Sequence, residues 1–359
     1  MSLASELSAT KGRTYSMNTD IASLVDPLFS QYDRPDTPGC AIGVVLDGHL
    51  VYTRGYGQAC LEHGIPNGPQ IAYDIASESK QMTAACAALL IEDGLLRLTD
   101  PISRFVPEVP FNGDQITIDH LVHHTSGIPD YWDRAEAEQR EEEMSDRDAA
   151  LRYALSYPRP EFAPGEACRY SNTGYVLLAK VIEKVTGMRF SAFLTEAVLR
   201  LLGMDNTTVY DDPHIVIPRR ASAYVKKPDG GYAVRVYWNY TAYGDGNVYS
   251  TVEDLFRWDQ NLYASRLGKG RFLEFMHTRG RLRDGSQCKY AFGMDMGQFC
   301  PDNWRGEPIF AHGGSNAGYE SLMLRIPGRR FSVILLCNTR DRGFKPKTLD
   351  IADALLCRP

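Results

Sequence analysis

Hydrophobic positions in the first part of the chain follow the pattern of β-strands. Residues 40–46 are apolar and partly β-branched, and a second strand-like run follows within the stretch CAIGVVLDGHLVYTRGYG. Asp47 and Gly48 stand between the two runs, and an Asp-Gly pair flanked by strands is a signal of a tight hairpin. The pattern predicts an antiparallel pair of strands that opens the fold.

The spacing of apolar residues becomes helical in the middle of the chain. After Ser77, apolar side chains recur at intervals of three and four residues, and Gly94 follows the last of them. These apolar residues are Met82, Ala85, Cys86 and Leu89. The period predicts a buried helix that begins at Ser77.

Two further helices are predicted downstream. One covers 146–156, where Ser145 and Asp148 have the spacing of a capping box. The other covers 173–185 and ends before Gly187, a residue type that commonly terminates helices. The middle of the chain is therefore expected to be mainly helical.

The last third of the chain returns to a strand pattern. Ser250 and Glu253 have capping-box spacing and predict the start of another helix. The stretches YESLMLRIP and RFSVILLCN then read as strands separated by the turn residues Pro327 and Gly328. A final helix is predicted over 347–357.

Strands at both ends of the chain with helices between them predict an α+β fold. Its antiparallel sheet is built from the N- and C-terminal segments and is flanked by helices. We expect a sheet domain at 20–75 and 250–359, an inserted, mainly helical domain at 76–249, and a cleft between them.

Composition and charge narrow the possible functions. With 359 residues, 43% of them hydrophobic, the chain can bury a substantial core. The net charge of −6 and the lack of a dense Lys/Arg cluster give no electrostatic footprint for nucleic acid or an anionic membrane. Small neutral or anionic ligands remain possible, and the sequence does not fix the oligomeric state.

The lack of a recognisable targeting signal and the distribution of the cysteines favour a reducing compartment. No uncharged apolar stretch approaches the ~20 residues of a membrane span, and the first twenty residues lack the apolar centre of a secretory signal. The 8 cysteines are scattered without CxxC spacing, which favours reduced thiols over a disulfide framework. We therefore expect a cytoplasmic protein without a metal or cofactor.

A Ser-x-x-Lys pattern is the first candidate for chemistry. It occurs at 77–80, at 8–11 and at 286–289, but only Ser77 opens a periodic buried helix. Residues three apart share a helix face, so Lys80 can place its amine beside the Ser77 hydroxyl. Desolvation lowers the pKa of such an amine, and a neutral amine can take the serine proton. The alternative is a serine helix cap followed by an exposed lysine.

A second candidate lies in PGEACRYSNTG, where Tyr170 and Asn172 precede a predicted helix. A phenol beside a lysine ammonium can lose its proton more readily and relay protons to a leaving atom. Asn172 offers a donor and an acceptor to a substrate amide. The alternatives are a core tyrosine and a helix cap, and the Tyr-x-Asn spacing also occurs at 237–239.

A third candidate lies in FAHGGSNAGYESLMLRIP, where His312, Gly313, Gly314 and Ser315 lead into a strand. Two adjacent glycines at a strand edge permit close approach of a ligand and leave the Ser315 N–H free to donate. His312 would supply a polar contact to the substrate. A structural histidine beside a simple turn is the alternative.

In this order, the three motifs resemble the serine β-lactamase and penicillin-binding-protein superfamily. The similarity covers about 41–338 and is greatest to the branch of class C β-lactamases, D-aminopeptidases, DD-carboxypeptidases and esterases. Further family-like stretches are IASESKQMTAA, LVHHTSGIPDY, LGMDNT and YSTVEDLFRW. The resemblance implies a β-lactamase/transpeptidase-like fold and a serine hydrolase that forms an acyl-enzyme.

The resemblance also implies roles for residues of this chain. Ser77 would be the acylated nucleophile, and Lys80 and Tyr170 would share the acid and base work. Asn172 would contact the substrate acyl group, and the backbone N–H groups of Ser77 and Ser315 would form the oxyanion hole.

The third motif departs from the Lys-Thr-Gly of class C β-lactamases, because His312 replaces the lysine. A neutral histidine binds a carboxylate less strongly than an ammonium does. This favours esters, amides or short peptides as substrates over penicillins. The aromatic stretch YWNYTAYGDGNVY falls where the family has loops over the cleft, so Tyr243 is a candidate for the acyl pocket.

Other classes fit the sequence less well. An α/β-hydrolase elbow around Ser315 has Ala317 in place of its second glycine. A metal hydrolase built on His123, His124 and His312 lacks a carboxylate at ligand spacing. A β-lactamase, a DD-carboxypeptidase and a non-catalytic penicillin-binding sensor stay open, although a sensor would not need every proton-handling group.

Overall fold

The computed structural model describes residues 17–110, 113–140, 143–144, 146–157, 159–235, 241–341 and 343–357. The α-helices in these ranges are α1 Met17–Phe29, α2 Lys80–Glu92, α3 Ile118–Val122, α4 Tyr131–Glu138, α5 Arg147–Leu155, α6 Asn172–Thr186, α7 Phe190–Leu194, α8 Arg200–Leu202, α9 Val252–Asn261, α10 Phe272–His277 and α11 Lys347–Leu356. The strands are β1 Cys40–Leu46, β2 His49–Tyr56, β3 Gln58–Cys60, β4 Ile65–Pro66, β5 Tyr73–Asp74, β6 Thr208–Val209, β7 Tyr224–Lys226, β8 Tyr232–Val234, β9 Val248–Ser250, β10 Asn303–Trp304, β11 Glu307–Pro308, β12 Phe310–Asn316, β13 Tyr319–Ile326 and β14 Phe331–Cys337.

A five-stranded antiparallel sheet has the strand order β12-β13-β14-β1-β2. Segments from the two ends of the chain meet where β1 pairs with β14, with Cys40 opposite Cys337. The predicted opening hairpin is confirmed, because β1 pairs with β2 across a turn at Asp47 and Gly48. Their φ angles of 52° and 79° are the positive values that suit a tight connection between twisted strands.

Alternate residues of the central strands pack on opposite faces of the sheet. Val333 and Leu335 of β14 join the hydrophobic cluster that contains Ile42 and the apolar residues of α1 and α11. Ile334 and Leu336 belong to the second, larger cluster, which contains the apolar residues of α9 and of the middle helices. Burial on both faces explains why the last five residues of β14, 333–337, are an uninterrupted apolar run.

The predicted helices of the middle region are confirmed as α2, α5 and α6. Helix α6 ends at Gly187, which has a φ of 69°. The cap expected at the start of α5 needs correction, because the N-cap is Asp146. Its carboxylate accepts the Ala149 N–H at 2.8 Å, and the expected cap Ser145 lies outside the described residues.

The start of α9 also differs by one residue from the prediction. Its N-cap is Thr251, whose side chain accepts the Asp254 N–H at 3.2 Å. The capping box predicted from Ser250 and Glu253 is therefore wrong. Ser250 is the last residue of β9 and pairs there with Tyr73, so its backbone continues a strand instead of opening the helix.

The mixed content of helix and antiparallel sheet confirms the α+β class, and the sheet joins both ends of the chain as predicted. The boundaries of a sheet domain at 20–75 and 250–359 and a helical domain at 76–249 stay a prediction. Among the described residues, no helix has the length and apolar character needed to cross a membrane.

Candidate active site

Ser77 lies in a tight turn between strand β5 and helix α2. The turn is the 3₁₀ segment Ala76–Ser79, and Ala76 has a φ of 48°. A non-glycine residue in this region costs about 1–3 kcal/mol and is held there by its surroundings. The buried carboxylate of Asp74 supplies part of that restraint by accepting the Ala76 N–H at 2.8 Å. This hydrogen bond helps to fix the position of Ser77, the next residue of the turn.

Lys80 is fully buried one helical turn after Ser77. Its Nζ lies 3.2 Å from Ser77 Oγ and donates to Asn172 Oδ1 at 2.8 Å and to the Asp245 backbone oxygen at 2.7 Å. Burial lowers the pKa of the amine to about 8, although Asp245 and Asp130 act in the opposite direction. About one-tenth of the amine is therefore neutral at pH 7, and the lone pair of this neutral form can accept the Ser77 proton.

Tyr170 lies on the other side of the lysine. Lys80 Nζ is 4.8 Å from the centroid of the Tyr170 ring, and the His124 ring packs at 4.4 Å. The Tyr170 hydroxyl is buried and has no hydrogen-bond partner of standard geometry among the described residues. The Ser77 side chain is near enough to favour the ionised phenol, but burial dominates and raises the pKa of Tyr170 well above its ordinary value.

The proton state of Tyr170 therefore differs from the expectation. We predicted that the lysine ammonium would ease ionisation of the phenol, but Lys80 Nζ lies over the ring face and desolvation outweighs any such help. Tyr170 is a neutral phenol at neutral pH, with a hydroxyl that is available to donate. This state suits a general acid better than a general base.

Asn172 is the first residue of α6 and connects the lysine to a buried carboxylate. Its Nδ2 donates to Asp130 Oδ1 at 3.3 Å, and its backbone N–H donates to the other oxygen of Asp130. The same carboxylate caps α4 by accepting the Trp132 and Asp133 N–H groups at 2.9 and 3.0 Å. Asp130 thus fixes which end of the Asn172 amide faces Lys80.

Asp130, Asp245 and Tyr131 are site residues that sequence reasoning missed. Asp245 is buried, which raises its pKa, and its Oδ2 accepts a hydrogen bond from the Tyr131 hydroxyl at 2.7 Å. A signal was present for Asp245, because it stands between Gly244 and Gly246 and paired glycines mark a close approach of the backbone. A Cβ added at Gly244 would lie 2.5 Å from the Tyr175 backbone oxygen.

Ser315 lies on β12, the edge strand of the sheet. The two-residue turn Ala317–Gly318 makes Asn316 and Tyr319 a hydrogen-bonded pair, with φ angles of 46° and 98° in the turn. The next pair of the antiparallel ladder, Ser315 and Glu320, is then a non-hydrogen-bonded one. The Ser315 N–H therefore points away from β13, as an oxyanion donor requires.

Gly314 lets this edge strand approach the turn that carries Ser77. A Cβ added at Gly314 would lie 2.1 Å from the Ile75 backbone oxygen, so a larger residue would push the two segments apart. Ser77 N–H opens a helical turn, where backbone donors lack intrahelical partners. Ser77 and Ser315 line the same cavity, which places the two expected oxyanion donors on its wall.

His312 is buried and does not present a free ring nitrogen to a substrate. Its Nδ1 donates to the Gly313 backbone oxygen at 2.8 Å, which leaves Nε2 to accept from the Tyr290 hydroxyl at 2.9 Å. Burial lowers its pKa to about 3, so the ring is neutral. The expected substrate contact therefore needs correction, because both nitrogens hydrogen-bond within the protein. The His312 ring instead packs behind Tyr170 at 6.2 Å.

Tyr243 does not line the cavity either. Its ring stacks on Phe190 at 5.6 Å, and its hydroxyl bonds to Arg147 and Glu183 at 2.6 and 2.8 Å. The Tyr243 side chain therefore makes these contacts away from Ser77. Its expected place in the acyl pocket needs correction, because the residue packs within the protein instead. The alternative Tyr-x-Asn pair at 237–239 lies outside the described residues.

The cavity beside Ser77 is open to solvent and has a volume of about 460 Å³, part of which is open solvent. It is lined by Ala76, Ser77, Tyr131, Trp132, Asn172, Asp245, Gly246, Ser315 and Asn316. Ser77 and the two expected backbone donors thus face a space that is open to a small substrate, and the buried Lys80 amine lies directly behind the Ser77 hydroxyl. This arrangement can carry out acyl transfer through a serine nucleophile.

Comparison with known proteins agrees with this chemistry. A family model described as Beta-lactamase matches residues 25–357. The chain is 32% identical to penicillin-binding protein 4* of Bacillus subtilis (strain 168), over 86% of this chain and 70% of that protein. It is 24% identical to a D-aminopeptidase of Gluconobacter oxydans (strain 621H), over 84% of this chain but only 56% of that relative.

Solved structures show the same fold. A penicillin-binding protein homologue from Pyrococcus abyssi superposes with a TM-score of 0.79 at 28% identity and covers 94% of this chain and 77% of its own. A D-amino acid amidase from Ochrobactrum anthropi SV3 superposes with a TM-score of 0.76 at 23% identity, over 95% of this chain and 99% of the amidase. At 23% identity, the match to the amidase supports a shared fold and nothing further.

Proposed function

The chain belongs to the beta-lactamase family, and from that premise we propose that it is a serine hydrolase that cleaves esters or amides through an acyl-enzyme on Ser77. One observation carries the proposal: the buried Lys80 amine, with a pKa lowered to about 8, lies 3.2 Å from the Ser77 hydroxyl. A serine hydroxyl is a weak nucleophile, and the neutral form of an adjacent amine, which the lowered pKa makes accessible near pH 7, activates it.

In the acylation step, Ser77 Oγ forms a bond to the substrate carbonyl carbon while its proton passes to neutral Lys80. The carbonyl oxygen becomes negative and accepts hydrogen bonds from the Ser77 and Ser315 N–H groups. When the bond to the leaving group breaks, the leaving atom takes a proton from Tyr170. The Lys80 ammonium then returns a proton to the Tyr170 phenolate, so both groups are neutral again in the acyl-enzyme.

Deacylation uses the same groups in reverse. A water molecule attacks the acyl carbonyl and loses its proton to the neutral Lys80 amine, and the Lys80 ammonium gives a proton to Ser77 Oγ as it leaves. Asn172, held by Asp130, keeps the lysine in place throughout. The Asn172 amide also lines the cavity, where it can contact the acyl group.

The third motif supports esters and amides over penicillins as substrates. The ring of His312 is neutral, buried and fully hydrogen-bonded, so this position supplies no cation for a carboxylate on the leaving side of the substrate. The D-aminopeptidase relative agrees with this preference. The penicillin-binding relative supports a second candidate, in which the same site binds or hydrolyses β-lactams.

Replacement of Ser77 tests the proposal. Ser77→Ala should lower kcat/KM for a p-nitrophenyl ester by at least about a thousandfold, because the attacking atom is lost. The matched control is Ser286→Ala, which removes the exposed serine of the Ser-x-x-Lys pattern at 286–289 and should keep full activity. Undiminished turnover by Ser77→Ala would reject the mechanism, and a nitrocefin rate above the ester rate would favour the β-lactamase candidate.

A further inference from the structure

A second cavity of about 690 Å³ lies next to the cavity that contains Ser77. Asn316 lines both cavities, so they meet at the end of strand β12. Asp74, Arg220, Tyr249 and Tyr319 are among the other lining residues. The second cavity is thus within reach of a substrate that extends from Ser77 past Asn316.

Arg220 brings a positive charge to this cavity. Its guanidinium lies 6.0 Å from the ring centroids of both Tyr210 and Tyr249. Within the described part of the chain, the Arg220 side chain makes no hydrogen bond and no ion pair, and it is exposed. A guanidinium has five N–H donors in a planar fork that matches a carboxylate, so its free donors are available to an anionic ligand.

The acidic residue of the cavity does not neutralise Arg220. Asp74 is buried, and its two oxygens accept the Ala76 N–H at 2.8 Å and the Asn316 side-chain amide at 2.7 Å. Those bonds hold the nucleophile turn and the junction between the cavities. Asp74 is therefore occupied within the protein, whereas Arg220, which lines the cavity together with Arg235, has no ion-pair partner among the described residues.

The course of β12 indicates which part of a substrate reaches this cavity. The strand passes Tyr170 at His312 and reaches the junction four residues later at Asn316, a distance of roughly 13 Å. The leaving group must lie at the Tyr170 end, because Tyr170 donates its proton. The acyl group then extends toward Asn316 and the second cavity.

We propose that the second cavity is the subsite for the acyl portion of the substrate, and that Arg220 binds a carboxylate carried by that portion. This inference rests on the proposed acyl-transfer function of Ser77. It narrows the substrates to esters or amides of acids that bear a second, anionic group at a distance from the carbonyl under attack.

Matched pairs of p-nitrophenyl esters test the subsite. In each pair the acyl chain has the same length and ends either in a methyl group or in a carboxylate, and the series includes increasing chain lengths. The wild-type protein should prefer the carboxylate in kcat/KM at one or more lengths. Arg220→Ala should reduce that preference about tenfold or more, because a charge-assisted hydrogen bond is lost, and should leave the methyl esters unchanged.

Two control variants separate binding geometry from net charge. Arg219→Ala removes the same charge from the adjacent residue, whose side chain bonds Gln70 and Asn206 outside the cavity, and should keep the preference. Arg220→Lys should keep only part of the preference, since an ammonium lacks the planar fork. Equal turnover of both esters by the wild type, or an unchanged preference in Arg220→Ala, would overturn the subsite.

A binding measurement distinguishes failure of the subsite from failure of the proposed function. Calorimetric titration of the Ser77→Ala protein with suberate needs no turnover and should show binding that Arg220→Ala weakens at least about tenfold. Absence of ester hydrolysis with intact suberate binding would reject the function and keep the anion site. Hydrolysis of methyl esters with no Arg220-dependent binding would reject the anion site and keep the function.

Discussion

Lys80 is under two opposed influences, and their balance sets the pH at which the amine becomes a base. Burial lowers its pKa to about 8, while the negative charges of Asp245 and Asp130 raise it. The neutral amine gains population as the pH rises through this value. We therefore expect kcat/KM for a neutral ester to increase with pH and to level off above about 8.

Asp245→Asn tests this balance directly. Removing the carboxylate charge should lower the Lys80 pKa further and move the ascending limb of the pH profile to lower pH, by about half a unit or more. In this variant, the side-chain amide oxygen at position 245 can still accept the hydrogen bond from the Tyr131 hydroxyl. The control is Asp133→Asn, because the Asp133 carboxylate does not contribute to the Lys80 pKa. This variant should leave the ascending limb of the pH profile unchanged. A limb that stays or moves upward in Asp245→Asn would contradict the assignment of Lys80 as the base.

At the residue scale, sequence reasoning succeeded where local spacing decides the geometry. Ser77 and Lys80 are three residues apart on one turn, so their contact follows from the backbone alone. Asp130 and Asp245 reach Lys80 from distant segments, and no spacing rule joins those segments. The roles expected for His312 and Tyr243 failed because residue type does not determine which way a ring faces, and both rings found partners inside the protein.

At the element scale, the start of α9 shows how a strand and a helix compete for one residue. Ser250 and Thr251 both precede an acidic residue at capping distance, so the sequence offers two adjacent caps. Because Ser250 pairs with Tyr73, its backbone belongs to β9, and Thr251 is the N-cap of the helix. The longer strands and helices were predictable from their periods, whereas strands of two or three residues such as β5 are too short to show one.

Two substitutions distinguish these caps. Thr251→Ala should reduce the free energy of unfolding by about 1 kcal/mol, because the Asp254 N–H loses its acceptor. Glu253→Ala, at the position that the other capping box would use, should change it by less than about 0.5 kcal/mol. Urea unfolding of both variants measures the difference. A larger loss in Glu253→Ala than in Thr251→Ala would contradict the observed cap.

At the scale of the whole molecule, the fold packs an unusual carboxyl group behind the nucleophile. Glu78 is 1% exposed, and neither carboxyl oxygen has a hydrogen-bond partner among the described residues. Burial raises its pKa from 4.5 to about 8. The folded protein therefore keeps Glu78 protonated at neutral pH, whereas the unfolded chain ionises it.

This difference makes stability depend on pH. Below pH 4.5 both states hold the proton, and between 4.5 and about 8 only the folded state does, so stability is lost as the pH rises through this window. Relative to Glu78→Gln, the wild type should lose up to about 1.4 kcal/mol of unfolding free energy per pH unit. Urea unfolding of both proteins at pH 5 and pH 8 checks this, and a constant difference between them would contradict the buried, protonated state.

The overall architecture was accessible from the sequence because strand patterns at both ends can be satisfied only by a common sheet, and β1 does pair with β14. The junction of the two cavities could not be predicted from the sequence. It depends on Asn316 and Arg220, which lie in different segments and carry no periodic signal.

The most direct test of the central claim is to locate the acyl group during turnover. The protein is mixed with a p-nitrophenyl ester, quenched in acid and digested, and the peptides are sequenced by mass spectrometry. One acyl group should be found on the peptide that contains Ser77, attached to that residue, and it should be absent from Ser77→Ala. An acyl group on any other residue, or one that persists in Ser77→Ala, would contradict the mechanism.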